Sequence, residues 1–388
     1  MRLFIQELKR VFKSLIFLGL ALALILAISS QIGSKPYEFK EPDPNQEYHG
    51  YYLTNDLEYI YPNLISDLQA SVDANNFGTY PYGFYREKNL EQDELNAIKE
   101  IMSDLSGIPY EEINLNQNMA VPDEEKLEAQ LDKIDAFIGG GSFYAKDKYK
   151  VHFGNKGMTY EEAMTDYRLM QEQGYDVAFA RYFSDYAGIF TLLLSWFIGL
   201  YFWNKDRKEG IANTLYVKAV SSNKLILARV LAMSLSLMFI VLAIFTYYET
   251  QLLALYGVSL LNPVKAYFLV VLWILPIILL VVSLNSLLTI ATNSILLGFL
   301  GPIFSLVYLM SSSANIFYNV GYGLLIRYNS VGNEAYFTSK VNIFLAGRAI
   351  WLVIAILIVM ITSFLYERRR RGYHAFKNNL SIKTRIKA

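Results

Sequence analysis

Apolar and polar positions segregate along this chain on the scale of whole spans. Uncharged or nearly uncharged apolar runs occupy 14–31, 187–203, 230–247, 266–288, 290–310 and 344–366. At about 1.5 Å of rise per residue each is long enough, or nearly so, for a hydrocarbon layer of roughly 30 Å. Between the first and second runs lies a long polar stretch, 32–185, with no run of that kind. The pattern predicts an α-helical polytopic membrane protein. It has six transmembrane helices and a large, mostly helical extracellular domain, with a minor β contribution, between helices 1 and 2.

Local signals fill in this outline. Residues 1–13 place Leu3, Phe4, Leu8, Val11 and Phe12 on one helical face and Arg2, Gln6, Lys9, Arg10 and Lys13 mostly on the other, an amphipathic interfacial helix. Ser14–Ile28 follows, uncharged and rich in Leu, Ala and Ile. Its basic front and short length also suit a signal peptide with a weak cleavage site at Ala27-Ile28-Ser29. An even number of crossings, which puts both basic ends on one side, favours an uncleaved span.

Within 32–185, a Pro-rich approach (Pro36, Pro42, Pro44) precedes three helical signals. Asn89 and the acidic turn Glu91-Gln92-Asp93-Glu94 open a helix that ends at Gly107, and Asp123–Ile138 is closed by Gly139-Gly140-Gly141. Thr159 with Glu162 makes a capping box for a third helix ending at Gly174. Tyr149–Phe153 alternates like a short strand. Tyrosines cluster at Tyr51-Tyr52, Tyr59-Ile60-Tyr61 and Tyr80-Pro81-Tyr82, as core material or as a surface for a peptide or lipid-like ligand.

Among the later spans, 187–203 carries Trp196 and ends in the belt Tyr201-Phe202-Trp203, and Tyr248–Lys265 reads as a short outer connection. Pro276 and Pro302 fall inside two antiparallel spans and are candidate hinges, although Pro is common in membrane helices. Asn285, Ser286 and Asn293 lie near the inner end of that pair, placed to bond across helices. The segment 311–342 is apolar and aromatic for a loop, with Phe317, Tyr318, Tyr322, Leu324, Leu325 and Tyr328, and reads as an outer re-entrant hairpin. Arg348 sets the start of the last apolar core at Ala349, and 367–388 is a basic cytoplasmic tail suited to anionic lipid.

Composition sharpens the topology. The chain of 388 residues is 54% hydrophobic, and its net charge of zero hides a segregation. Residues 32–185 hold 29 Asp or Glu against 13 Lys or Arg, whereas 1–13, 204–229 and 367–388 together hold 18 basic residues against 4 acidic ones. Short loops rich in Lys and Arg stay inside, so both termini and 204–229 are expected in the cytoplasm. With no cysteine there is neither disulfide nor thiolate metal site, and His49, His152 and His374 have no ligand spacing, so no metal is expected. The residue usage suits a bacterial plasma membrane.

The stretch 204–229 lies between two spans and carries Lys205, Arg207, Lys208, Lys218, Lys224 and Arg229 against Asp206 and Glu209. It also holds Leu215, Val217, Val220, Leu225 and Ile226, apolar side chains that need cover. Here the chain resembles the membrane subunits of ABC-2 type exporters, permeases that work with a separate ATPase. The resemblance rests on a charged pair, Arg207-Lys208, then Glu209, Gly210, Leu215, Val220, Ser221 and Arg229 at matching spacing. Ile211, Asn213 and Ala219 depart from that family's usual Thr, acid and Pro.

The resemblance implies a coupling loop whose Arg207, Lys208, Glu209, Gly210, Thr214, Leu215, Val220 and Ser221 meet a cytoplasmic P-loop ATPase. It implies a second permease, identical or similar, packed through spans two and five. The residues agree in what they omit. No Gly-x-x-x-x-Gly-Lys-Ser/Thr occurs, so this chain binds no ATP in that manner and carries no cofactor; ATP and Mg belong to the partner. No nucleophile or paired carboxylates mark a membrane enzyme, no ionisable residue sits mid-span as in an ion-coupled pump, and no nucleic acid is implied. The expected function is a permease subunit of an ATP-driven exporter. The alternative is a membrane sensor or scaffold whose extracellular domain binds an antimicrobial peptide or an envelope component.

Overall fold

The computed structural model describes residues 2–81, 84–113, 119–209, 220–292, 296–311 and 320–371. Helix α1 (Arg2–Phe12) ends two residues before α2 (Leu15–Ile32), and the Ser14 hydroxyl between them caps α2 by accepting from the Phe17 N–H at 3.3 Å. The chain then runs without regular structure to residue 50. Its Phe39 stacks on Tyr175 and donates its N–H to the Tyr256 hydroxyl at 2.7 Å.

A lobe hangs from a two-stranded neck. Strands β1 (Tyr51–Leu53) and β4 (Asn155–Gly157) pair antiparallel, Tyr51 opposite Gly157, so the chain leaves and returns at one point. Between them lie α3 (Leu57–Ala74), the ribbon β2 (Phe77–Thr79) with β3 (Arg86–Lys88), α4 (Gln92–Ser106), α5 (Glu124–Ile138) and α6 (Tyr149–Phe153). The lobe has a core of its own, centred on Ile60, Leu64, Leu68, Phe77, Met102 and Leu131, and among the described residues none of the long apolar helices contributes to it.

Capping explains the helix ends. Glu91 and Glu94 form a reciprocal box at the start of α4, and Thr159 with Glu162 forms another at the start of α7 (Tyr160–Gln173). Gly107 and Gly139 close α4 and α5 in the left-handed conformation.

Five described helices are long and apolar enough to cross a membrane: α2, α8 (Tyr175–Lys208), α9 (Ser222–Tyr256), α10 (Pro263–Thr292) and α12 (Glu334–Arg370). The sixth expected crossing corresponds to α11 (Leu296–Ser311), apolar but shorter. The chain is thus a mostly α-helical polytopic protein with a large, largely helical region between its first two long apolar helices. At the centre of the bundle α10 packs against α8, α9 and α12, its Trp273 fully buried against Phe337 and Phe344.

Several elements differ from the sequence pattern. Tyr149–Phe153 is helical, not a strand; a five-residue alternation also puts Tyr149 and Phe153, both buried, one helical turn apart on one face. Helix α3 was not expected: Pro62 and the tyrosines obscured it, yet Asp56 caps it by accepting from the Glu58 N–H at 3.0 Å. The long helices also overrun their apolar cores on the lobe side. α8 begins at Tyr175, α9 continues to Tyr256 so that only 257–262 connects it to α10, and α12 begins at Glu334. Polar side chains do not end a helix when other helices pair them.

Those overruns form a stem below the lobe. Residues 320–333, with buried Leu324, Leu325, Ile326 and Tyr328, run beside the first turns of α12 rather than as a helix. Arg348, about 21 Å down α12 from Glu334, donates to the carbonyls of Leu324 and Gly323, and the Trp351 indole donates to the Tyr322 carbonyl at 2.8 Å. Asp185 of α8 holds the same segment, accepting from Arg327 Nε at 2.6 Å and from the N–H groups of Tyr328 and Asn329 at 2.8 and 2.6 Å. Phe317 and Tyr318 of the expected re-entrant hairpin lie outside the described residues.

Candidate functional site

At the foot of the bundle, opposite the lobe, the chain leaves α8 at Lys208 and re-enters α9 at Ser222. Two acids, Asp206 buried and Glu7 partly so, and two arginines fix the α8 side. Asp206, in the last turn of α8, pairs with Arg10 of α1 and with Arg229 of α9, the latter at 2.6 Å. Glu7 of α1 pairs with Arg229 at 3.1 Å and with Arg10 at 3.6 Å. The four charges cancel. Their side chains range from 4% exposed at Asp206 to 25% at Arg10.

Aromatic faces of α8 complete the enclosure, with the Arg229 guanidinium 5.1 Å from the Trp203 ring and that of Arg10 5.2 Å from Phe202. Burial by itself would lower the pKa of Arg10. The hydrogen bond and charge of Asp206, helped by Glu7 and Glu209, outweigh it and raise the pKa instead.

Helix α12 fixes the other side. Arg370 Nη1 donates to the Val220 carbonyl at 2.7 Å, and Ser222 Oγ donates to Glu367 at 2.5 Å. Glu367 is held in turn by Arg371 at 3.0 Å. Ser221 caps α9, its hydroxyl accepting from the Lys224 N–H at 3.4 Å. A chain segment thus departs from one rigid frame (α1, α8, α9) and returns into another (α9, α12).

The residues expected to contact a partner divide as follows. Lys208 and Glu209 are exposed at the end of α8, and Glu209 pairs with Lys205 one turn back at 3.8 Å. Arg207 is in the last turn of α8. Val220 and Ser221 belong to the return frame. Gly210, Thr214 and Leu215 lie outside the described residues, as do Ile211, Asn213, Ala219, Asn293 and the tail 372–388. Glu7, Arg10 and Asp206 were not singled out from sequence. The available signal was the presence of a few acids in two otherwise basic segments, Glu7 in 1–13 and Asp206 with Glu209 in 204–229, since an acid among basic residues invites the question of what it pairs with.

The candidate hinges sit in different settings. α10 is continuous through Pro276, which is buried. Pro302 lies in α11 beside Gly301, where that helix meets α8: a Cβ on Gly301 would fall 2.3 Å from the Trp196 ring, one on Gly298 2.2 Å from Leu200, and the Trp196 indole donates to Ser305 at 2.8 Å. The expected polar glue across helices is present for two of three residues. Asn285 donates to the Trp196 carbonyl at 3.2 Å, and Ser286 accepts from the Trp203 indole at 2.9 Å.

Among the described residues, no group of three or more His, Cys, Asp or Glu is placed to hold a metal ion. No family model, curated protein or solved structure matches the chain. The site is therefore defined by its own geometry: a partly apolar segment, 209–221, within the basic stretch 204–229, whose two ends are clamped to α1, α8, α9 and α12.

Proposed function

We propose that this protein is the membrane-spanning permease subunit of an ATP-driven exporter. On this reading it crosses the bacterial plasma membrane six times, with α11 as the fifth crossing, the lobe outside and both termini in the cytoplasm. A second permease, identical or similar, completes the pathway. A cytoplasmic P-loop ATPase, carrying the ATP and Mg, receives the 204–229 loop through Arg207, Lys208, Glu209, Gly210, Thr214, Leu215, Val220 and Ser221.

The observation that supports this most is the double clamp on that loop. A push reaching either end of the loop is handed on: Asp206 passes it to α1 and α9, and Val220 and Ser222 pass it to α12. Rigid helices then carry the displacement toward the lobe side as a body. The test is co-purification from mild detergent of wild type and Gly210→Pro/Leu215→Asp, with the proteins carried along identified by mass spectrometry. A P-loop ATPase bound by wild type and lost from the double variant is expected; absence of any ATPase under all conditions rejects the reading.

One observation favours a second reading, a sensor or scaffold. The lobe, with its own core and narrow neck, is tied to the helices beneath it through Asn333, whose side-chain amide donates to the Tyr51 carbonyl at 3.1 Å. A membrane-protein partner in place of the ATPase, in the same co-purification, identifies that alternative.

A further inference from the structure

A groove of about 980 Å³ runs up the foot half of the bundle between the start of α9, the middle of α10 and the second half of α12. Its walls are apolar: Leu231 and Leu279 at the back, and Leu227, Ile356, Met360 and Phe364 along the edges, these last four each about half exposed or more. In a membrane those edges face lipid tails. The α10 wall also carries a polar group. Ser283 of α10 lines the groove, is 0% exposed, and its hydroxyl has no hydrogen-bond partner. Ser184, Ser195 and Ser234, buried elsewhere in α8 and α9, share this state, whereas Ser286 bonds to the Val282 carbonyl at 2.8 Å.

The foot end is built differently. Val220, Ser221, Ser222 and Asn223 bring the N-terminus of α9 to the mouth, and Arg370 lies across from them. Helix N-termini and guanidinium groups both favour an anion. The one carboxylate at the mouth, Glu367, is already engaged by Ser222 and Arg371. Lys224 and Arg371 are exposed beside it.

We propose that this groove binds one anionic phospholipid from the leaflet on the foot side, an acyl chain lying along the apolar walls toward Ser283 and the phosphate at the mouth by Arg370 and the first turn of α9. Polarity supports the choice of occupant: an apolar groove with lipid-facing edges, and with Arg370 and the first turn of α9 at its foot end, matches a lipid's own profile. A neighbouring helix would bury the apolar walls but leave the charged mouth without a counterpart. The inference needs only that the helices span a bilayer, and stands whether or not the ATPase reading does. Its consequence is local, because the phosphate would sit on the return frame of the 209–221 segment.

The experiment is native mass spectrometry of the full chain, delipidated in mild detergent and titrated with phosphatidylglycerol or phosphatidylcholine. Wild type should retain one phosphatidylglycerol about tenfold more strongly than phosphatidylcholine. Ile356→Trp, which fills the groove from the lipid side, should lose that one adduct while keeping the wild-type elution volume and helix content. Arg370→Gln should keep an adduct but lose the preference for the anionic lipid. Equal retention of the two lipids by wild type, or an adduct indifferent to Ile356→Trp, overturns the proposal. So does protection of the groove by the chain's own 372–388 tail, read as new lipid uptake when that tail is removed.

Discussion

Arg181 on α8 and Glu334 at the start of α12 form an ion pair at 2.5 Å with side chains only 0% and 4% exposed. The contact is ionic and lies off the N–H axis, and a second arm of Arg181 donates to the Val331 carbonyl at 3.0 Å. Arg181 also faces the Phe337 ring at 5.0 Å. Removing one member leaves the other charged and enclosed, which costs about 3–5 kcal/mol. Glu334→Leu should therefore lower the thermal midpoint sharply. Arg181→Met/Glu334→Leu, apolar on both sides, should recover most of the loss. A double variant no better than the single would mean that the pair's value lies in its geometry rather than in the compensation of charge.

The foot network makes a parallel but distinguishable prediction. Both arginines are shared by Asp206 and Glu7, but Arg229 is the more buried, 7% exposed against 25% for Arg10, and lies closer to Glu7, at 3.1 against 3.6 Å, so Arg229→Met removes the stronger partner of the two acids and Arg10→Met the weaker. The first variant should lose about 3–5 kcal/mol and the second clearly less. Hydrogen exchange should place the loosening in 2–12 and 200–208, with the lobe unchanged. Equal losses would show that α1 contributes as much as α9 to holding the end of α8.

How far the fold was legible follows from how local its causes are. The box at Thr159 and Glu162 and the closures at Gly107, Gly139 and Gly174 depend on neighbours within a few residues, so sequence alone places them. Strand β4 is set by a partner about a hundred residues earlier, and its own Asn155-Lys156-Gly157 carries no strand signal. The foot behaves in the same way. Charge segregation marks 204–229 as a distinct segment, but its clamp comes from Glu7 and Arg10 at one end of the chain and Glu367 and Arg370 at the other. Helix lengths were underestimated for a related reason: Asp176, Arg181 and Asp185 look like loop residues until Asn262, Glu334 and Arg327 are seen to meet them.

Close approach of α11 to α8 predicts a steric effect at Gly301. An alanine there meets the six-membered side of the Trp196 indole, which Ser305 holds from the other edge. Overpacking of this kind costs about 1–3 kcal/mol. Gly301→Ala should lower the thermal midpoint and shift the Trp196 emission. Gly19→Ala on α2, where nothing lies within 4 Å, is the control and should be neutral or mildly stabilising. If Gly301→Ala also proves neutral, α11 rests on α8 loosely enough to move, and Pro302 gains weight as a hinge.

Asp166 gives the pH dependence. From α7, outside the apolar spans, its carboxylate accepts the N–H groups of Asn333 and Glu334, each at 2.8 Å, and so caps α12 from another helix. Burial raises its pKa, and the two N–H bonds and Arg181 only partly offset this. The folded pKa thus lies above the unfolded value of about 3.9. The folded state binds the proton more tightly, so the contribution of Asp166 to stability is complete below about pH 4 and is lost as pH rises through the folded pKa. Asp166→Asn keeps an acceptor for one N–H and removes the titration. The stability of wild type relative to this variant should therefore be greatest at the acid end and shrink toward neutrality, measured as thermal midpoints in lipid nanodiscs from pH 4 to 7. Amide exchange at Asn333 and Glu334 should follow the same trend. A difference that grows with pH would mean that the two N–H bonds, and not burial, dominate this carboxylate, and that the ionised form is the one that ties α7 to α12.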